Sequence, residues 1–323
     1  MTSRAWRMKL LPLVLCLSLL SLHGCFFARV STKNAGILFR TPDEIANRIV
    51  DPRRPEARLA ALWIGHATVL LQLDDRFVLT DPVFTNFVGT VSKRLVAPGL
   101  APENLPPVDA LLISHRHYDH LSPDSIERIR SRISNVLVPE ATTDDIPAGS
   151  YATTELPWWK SWEHDGLRIT AVPVVHVGSR ALDGASHPRS FTGYVIEYHD
   201  MVVYFGGDSA YRQDVFEDIA KRWPHIDLAL LPIGPISPPA EMLPTHMNPA
   251  QALRSAHDLR AERMIPIHFD TFINSYDERG DCLRALEAAK NADAQSTLQV
   301  LPLHIGEQRV LIGPTSPQRR ATR

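Results

Sequence analysis

The sequence predicts an α+β fold in which β-sheets are covered by helices. Short apolar strands dominate residues 58–83, where Asp74 and Asp75 form the turn of a hairpin. From Val108 onward, short apolar runs alternate with stretches of helical patterning. Strands followed by such mixed elements are typical of sheets that bury one face against helices.

Four segments are predicted to be helices, and two of them have clear start signals. Ser122 is a favoured N-cap residue and Pro123 suits the first helical turn, as do Asn248 and Pro249 further along the chain. The predicted helices are Ser122–Ile133, Asp214–Arg222, Asn248–Leu259 and Asp281–Lys290.

One loop carries three histidines and a carboxylate within six residues. It follows the apolar run Val108–Ile113 and reads His-x-His-x-Asp-His from His115 to His120. Imidazole nitrogens and carboxylate oxygens bind zinc and related divalent ions, so this crowding favours a metal site. The alternative is a solvated polar loop, or core histidines that each bond to a backbone carbonyl.

Three later apolar runs also end at a residue that can bind metal. They are Ile169–Val175 before His176, Met201–Phe205 before Gly206, Gly207 and Asp208, and Met264–Ile267 before His268. A lone histidine after an apolar run is more often a hydrogen-bonded structural residue than a ligand. Together with the loop, these residues supply enough ligands for two metals.

Several short segments resemble one enzyme family in wording and order. They are Trp63–Thr68, Thr80–Phe84, Ser114–Leu121, Gly207–Tyr211, Pro232–Gly234 and His268–Phe272. These segments resemble the metallo-β-lactamase superfamily, in the branch of the N-acylphosphatidylethanolamine-hydrolysing phospholipase D and related bacterial metal-dependent hydrolases. The resemblance implies a four-layer αββα sandwich with metals at one edge.

The resemblance also implies how the metals are held. The first metal would be bound by His115, His117 and His176. The second would be bound by Asp119, His120 and His268, with Asp208 as the bridge. Two divalent ions, expected to be Zn²⁺, would lower the pKa of a shared water so that a hydroxide forms at neutral pH.

Three residues are predicted to act in catalysis. Asp119 is one of them as well as a metal ligand. His66 ends an apolar strand, and the resemblance places it near the metals as a substrate contact or a support for a ligand, although a purely structural role is equally compatible. His246 precedes the Asn248 N-cap and would lie over the metals as an acid or a phosphate contact. Asp270 replaces a glycine common in the family and is expected to add a carboxylate near the metals.

The N-terminus has the pattern of a bacterial lipoprotein signal. Basic residues precede the apolar run Leu10–Leu22, which is short for a spanning helix and suits a secretory signal. The following Leu22–Cys25 segment resembles a lipoprotein cleavage box that would make Cys25 the lipidated first residue. His23 is atypical there, so a plain signal peptide or an uncleaved anchor stays open. Phe26 after the cysteine predicts a periplasm-facing protein of the outer membrane in the bacterial cell envelope.

These signals divide the chain into four parts. We expect a signal peptide at residues 1–24, a tether at 25–54, the hydrolase domain at 55–312 and a disordered tail at 313–323. Residues 1–24 contain three basic and no acidic residues, so the remaining 31 basic and 36 acidic residues give a formal net charge of −5. That charge argues against a nucleic-acid partner.

The leading functional hypothesis is a lipid-anchored metallo-hydrolase that cleaves a phosphodiester, at a phospholipid headgroup in the manner of phospholipase D. The partner would then be a phospholipid or another small phosphodiester or ester, with the membrane reached through the lipid anchor. One alternative is a lactonase or esterase that uses the same two-metal site. A second alternative is a non-catalytic envelope lipoprotein that binds metal.

Overall fold

The computed structural model describes residues 25–46, 48–89, 92–178, 189–293 and 295–314. Two seven-stranded sheets pack face to face, with helices on the outer sides. The predicted αββα sandwich is therefore confirmed. The predicted signal peptide and residues 315–323 of the predicted tail lie outside the described residues.

The first sheet is antiparallel at one end and parallel at the other. Its order is β16-β1-β2-β3-β6-β7-β8, with parallel pairing from β3 to β8. The strands are β1 Leu59–Gly65, β2 Thr68–Leu73, β3 Arg76–Thr80, β6 Ala110–Leu112, β7 Asn135–Val138, β8 Ala152–Glu155 and β16 Gln308–Ile312. A small separate hairpin joins β4 Phe87–Val88 to β5 Ser92–Lys93.

The second sheet has the order β15-β14-β13-β12-β11-β10-β9, and its pairing is parallel from β12 to β15. The strands are β9 Ser161–His164, β10 Leu167–Val172, β11 Gly193–Tyr198, β12 Met201–Phe205, β13 Leu228–Pro232, β14 Arg263–Ile267 and β15 Gln299–Val300. The carboxyl ends of its parallel strands lie at one edge, where the predicted ligands follow them.

The helices begin close to the predicted signals. Ser122 accepts a hydrogen bond from the Ser125 amide, and Asn248 forms a capping box with Gln251. The helices are α1 at residues 25–35, α2 Pro123–Ile129, α3 Gln213–Arg222, α4 Pro239–Met242, α5 Pro249–Asp258 and α6 Asp281–Ala292. The first predicted helix ends earlier than expected, because residues 130–132 continue it as a 3₁₀ turn. Within the described residues, we find no helix that combines the length and the apolar character needed to cross a membrane.

The core follows from the alternation of side chains along the strands. In β1, Ala61 and Trp63 belong to the cluster between the sheets, whereas Leu62 and Ile64 belong to the cluster under α2. Both faces of this strand are buried, which explains its continuous apolar sequence. Full burial of each large apolar side chain contributes roughly 1.5–3 kcal/mol, so the two sheets form a firm base for the loops at their edge.

Helix α1, which lies in the segment predicted to be a tether, packs onto the domain. The side chain of Asn34 is buried, donates to the Ile273 carbonyl at 3.0 Å and accepts from the Lys93 amide at 2.7 Å. The Lys33 ammonium donates to the carbonyls of Tyr276 at 3.2 Å and Asp277 at 2.7 Å. The composition of this segment shows no long periodicity, so these long-range contacts could not be expected from local pattern.

Replacing Asn34 by alanine is expected to lower the free energy of unfolding by about 1–3 kcal/mol, because the buried amide of Lys93 and carbonyl of Ile273 would lose their partner. Urea and thermal unfolding of the full chain measure the change. Ser31→Ala, at an exposed position of the same helix, is the matched control. Identical unfolding of the two variants would contradict the docking of α1.

Candidate metal centre

The predicted ligands converge at one edge of the sandwich although they come from distant parts of the chain. The loop from His115 to His120 follows β6, and His176, Asp208 and His268 follow β10, β12 and β14. Their donor atoms form overlapping groups, each with atoms within 4.8 Å of one another, and two of these groups have no residue in common and do not include Asp208. These two groups are His115, His117 and His176, and His66, Asp119, His120 and His268.

The first group has the spacing of ligands around one ion. His115 Nε2 lies 2.8 Å from His117 Nδ1, and His176 Nε2 lies 3.2 Å and 3.3 Å from these two atoms. Nitrogens bound to zinc at about 2.0–2.1 Å in a tetrahedron are roughly 3.3 Å apart. The three nitrogens therefore fit a single small cation.

The second group is wider and includes a carboxylate. His120 Nε2 and His268 Nε2 are 3.1 Å apart, and Asp119 Oδ2 lies 3.8 Å and 3.6 Å from them. Mixed nitrogen and oxygen donors at these separations suit a second divalent ion.

Asp208 lies between the two groups. Its Oδ2 is 3.1 Å from His268 Nε2, 3.2 Å from His120 Nε2 and 3.9 Å from His176 Nε2. Its Oδ1 is buried and has no hydrogen-bond partner among the described residues. An uncompensated buried carboxylate oxygen is costly, and a cation would satisfy it. The residues present therefore fit a metal.

Local backbone geometry brings Asp208 this close to the ligand loop. Gly207 has a φ of 54°, and a Cβ at this position would lie 2.4 Å from the Ser114 Cβ. Only glycine fits such an approach without displacing the loop. The Gly-Gly-Asp sequence after β12 is thus explained by the site.

Four of the histidines are oriented through their Nδ1 atoms. The partners are Ser114 Oγ at 2.9 Å from His115, Asp81 Oδ2 at 2.6 Å from His120, the Thr245 carbonyl at 2.8 Å from His176 and the Gly234 carbonyl at 2.9 Å from His268. An Nδ1–H that donates to an oxygen leaves Nε2 free to bind a metal and fixes the ring plane. His117 instead presents Nδ1 to the centre.

Asp81 holds the ligand loop, a role that the sequence motifs do not indicate. This fully buried carboxylate also accepts the Ser114 amide at 2.7 Å and the Ser114 hydroxyl at 2.6 Å. It follows strand β3 directly, and a carboxylate at a strand end is the same signal that identified Asp208. The carbonyls of Gly234 and Thr245 carry no such signal, because any residue type supplies a carbonyl.

The site is polarised by its two carboxylates. Burial lowers the pKa values of His115, His117 and His176, so these rings are neutral and have lone pairs to offer. Burial opposes ionisation of Asp119 and Asp208 as well, yet the nearby imidazole of His120 holds both pKa values well below the usual range. For both residues, the attraction of a positive charge outweighs the cost of burial.

The opposite shift occurs in two histidines. Burial would lower their pKa values, but Asp208 raises that of His268 to about 9 and that of His120 well above the ordinary value. The carboxylates thus draw positive charge to the place where the second group of donors meets. A divalent ion would supply that charge in exchange for protons.

His66 supports a ligand instead of facing the solvent. Its Nε2 is 2.9 Å from Asp119 Oδ2, and its amide donates to Thr271 Oγ1 at 2.7 Å. The side chain is almost fully buried, and burial lowers its pKa to about 3. A neutral imidazole N–H that donates to Asp119 would orient this carboxylate toward the centre.

His246 occupies the more open side of the centre. Its Nε2 lies 3.2 Å from Asp208 Oδ2, and its Nδ1 is 3.0 Å from Thr245 Oγ1. The side chain is 15% exposed, whereas those of His120 and His176 have no exposed surface. With His176 and Asp208 it also forms a set of donor atoms that lie within 4.8 Å of one another.

Asp270 does not place an extra carboxylate among the ligands. Both of its oxygens accept the Gly280 amide, at 2.9 Å and 3.1 Å, before helix α6. In the described part of the chain, no group of residues that could hold a metal ion includes Asp270. Its carboxylate holds the loop after His268 and does not join the donor groups.

Known proteins share both this sequence and this architecture. A worm (Caenorhabditis elegans) protein, the N-acyl-phosphatidylethanolamine-hydrolyzing phospholipase D 1, is 35% identical over 246 residues, which cover 71% of this chain and 68% of that protein. An uncharacterized Mycobacterium tuberculosis protein is 32% identical over 280 residues, covering 83% of this chain and 72% of its own length. A metallo hydrolase from Ignicoccus hospitalis has a TM-score of 0.58 at 21% identity, covering 78% of this chain and 97% of its own.

The profile of the beta-lactamase superfamily domain matches residues 76–269. That range contains the whole ligand loop, His176, Asp208 and His268. The chain therefore belongs to the metallo-β-lactamase superfamily and is a metal-dependent hydrolase of that family.

Proposed function

We propose that this protein is a two-zinc phosphodiesterase that hydrolyses the headgroup bond of phospholipids, as a phospholipase D does. The observation that carries the proposal is the pair of donor groups that share Asp208. The similarity to a protein described as a phospholipid-hydrolysing phospholipase D supports the choice of substrate class.

Two metals are favoured over one because the donors separate into two sets. His115, His117 and His176 already supply three nitrogens to one point. His120 and His268 supply two further nitrogens, each near Asp208 Oδ2. Within the described residues, no set of donor atoms within 4.8 Å of one another joins His117 or His176 to His120 or His268. One ion with ligands at about 2.0–2.3 Å would therefore leave part of these donors unbound.

When bound, two divalent ions would supply Lewis acidity for the phosphoryl oxygens and a lowered pKa for water. The protein's own residues prepare the place for that chemistry. Asp81 holds the ring of His120, and His66 holds the carboxylate of Asp119. Preorganised donors of this kind avoid reorganisation when charge develops in the transition state.

His246 would act on the substrate itself. Its Nε2 is within reach of the centre and its ring is held by Thr245 and the Met242 carbonyl. From there it can donate a hydrogen bond to a phosphoryl oxygen or a proton to the departing alcohol. Either interaction would strengthen as negative charge builds on oxygen.

The substrate class is tested by incubating the zinc-loaded full chain with a phospholipid, a soluble phosphodiester and a lactone panel. Mass spectrometry should identify phosphatidic acid and the free headgroup alcohol as products. Turnover of lactones alone would replace the proposal with a lactonase or esterase. Full metal loading with no turnover of any compound would favour a protein that binds metal without catalysis.

Elemental analysis should find about two equivalents of zinc in the loaded chain. His115→Ala and Asp208→Ala should each lose metal and activity together, because one removes a nitrogen donor and the other removes the shared carboxylate. His257→Ala, at an exposed histidine paired with Asp293, is the matched control and should keep both. A wild-type stoichiometry near zero after loading would exclude the mechanism.

His246→Gln separates a role in catalysis from a role in metal binding. It should keep the metal content of the wild type and lower turnover by about 10²–10⁴-fold, the usual range for a general acid or base. Loss of metal in this variant would instead make His246 a ligand.

We further propose that the protein is a lipoprotein of the bacterial envelope attached through Cys25. The Leu22–Cys25 box supports this proposal, as does the exposed position of Cys25. Acyl chains on the sulfur would contribute the anchoring free energy through buried methylenes.

Cys25→Ser is expected to release the protein from the membrane fraction or to leave an unprocessed precursor. Metal content should be unchanged, because Cys25 belongs to neither donor group. Intact-mass measurement of the detergent-extracted wild type should show a chain that starts at Cys25 and carries acyl mass. A mature chain that begins elsewhere and carries no lipid would contradict the proposal.

A further inference from the structure

We propose that an apolar rim beside the metal centre rests on the surface of a lipid bilayer. The rim consists of Leu38, Phe39, Phe87 and Tyr118. The choice of a bilayer as the occupant rests on the proposed phospholipid hydrolysis, whereas the rim itself is a feature of the structure.

The rim residues are large apolar or aromatic side chains with much of their surface in solvent. The exposed fraction is 45% for Leu38, 96% for Phe39, 41% for Phe87 and 48% for Tyr118. Single exposed apolar residues are ordinary on soluble proteins, but a contiguous group beside a site marks a contact surface. The four rim residues also adjoin one another along the surface.

Lys93 and the β4–β5 hairpin connect them. The Lys93 ammonium donates to the Leu38 carbonyl and lies 5.5 Å from the centre of the Phe87 ring. Phe87 pairs directly with Lys93 across the hairpin. On the same hairpin, a Cβ on Gly89 would lie 3.5 Å from the Tyr118 ring, so that ring packs against it.

The rim ends at the metal centre. Tyr118 stands in the ligand loop between His117 and Asp119, which belong to different donor groups. The rim and the centre therefore share one loop. If the rim rests on a bilayer, the phospholipid headgroups at the bilayer surface would lie beside the metal-binding side chains.

Helix α1 fixes where the N-terminus leaves the domain. Asn34 binds the Lys93 amide at 2.7 Å, next to the rim. Cys25 lies nine residues earlier in the same helix, or about 14 Å at 1.5 Å per residue. Cys25 and the rim thus flank opposite ends of α1, so an acyl anchor on Cys25 would keep the bilayer within about one helix length of the rim. This placement favours a bilayer over a protein partner.

Depth-dependent quenching tests the contact directly. The full chain is reconstituted in vesicles of phosphatidylcholine and phosphatidylglycerol that contain doxyl-labelled lipid. Emission added by Phe39→Trp should be quenched, whereas emission added by Val310→Trp should not. Val310 is the matched control, because it is 38% exposed and pairs with Ala60 near the start of β1, away from the ligand end of that strand. Equal quenching at both positions, or none at Phe39→Trp, would overturn the proposal.

Kinetics provide the second test. Phe39→Ser and Phe87→Ser should each lower turnover of vesicle phospholipid by about tenfold, which corresponds to ~1.4 kcal/mol of lost burial. Turnover of a soluble short-chain phosphodiester should be retained, as it should in Val310→Ser. Equal losses on both substrates would overturn the proposal. Selective quenching at Phe39→Trp without hydrolysis of any phosphodiester would uphold the rim and reject the proposed function.

Discussion

The metal centre depends on one constraint, which is that the carboxylates of Asp208, which is buried, and Asp119, which is partly buried, must be compensated by positive charge. Both lie among histidines in a region where burial alone would disfavour their ionised forms. The surrounding imidazoles respond in two ways. Burial lowers the pKa values of His115 and His176, whereas Asp208 raises those of His120 and His268 against the effect of burial. A buried charge of this kind persists only when it is paired or bound to metal, so the arrangement is costly for stability and is explained by function.

Strained backbone at the site also lowers the stability of the fold. His66, Asp81 and His268 have φ values of 56°, 32° and 64°, in the left-handed region that residues other than glycine rarely adopt. Each such residue costs on the order of 1–3 kcal/mol and persists where the surrounding structure enforces it. All three directly follow a strand of the sandwich, where the chain must turn sharply to aim a side chain into the centre. The firmly packed sheets absorb this strain, which links the apolar core to the geometry of the site.

Much of this could be predicted from the sequence because the signals are local. The His-x-His-x-Asp-His loop and the ligands after β10, β12 and β14 are polar residues that follow apolar runs, and these runs form strands in the structure. The contacts that orient them were less visible. The Gly234 and Thr245 contacts are made by backbone carbonyls, which every residue type has, and Asp270 has the right chemistry but lies against Gly280. The docking of α1 likewise depends on pairing across more than two hundred residues, which periodicity cannot reveal.

That docking changes how the N-terminal segment relates to the chemistry. The loop after His268 is held on one side by Gly280 and Asp270, and on the other by contacts of Lys33 and Asn34 with its carbonyls. His268, the loop that follows it and α1 are therefore connected by direct contacts. A flexible tether would let the domain turn in any direction relative to an anchor. A docked helix instead fixes the position of Cys25 relative to the loop after His268. The position of Cys25 relative to the metal centre is thus set by these contacts.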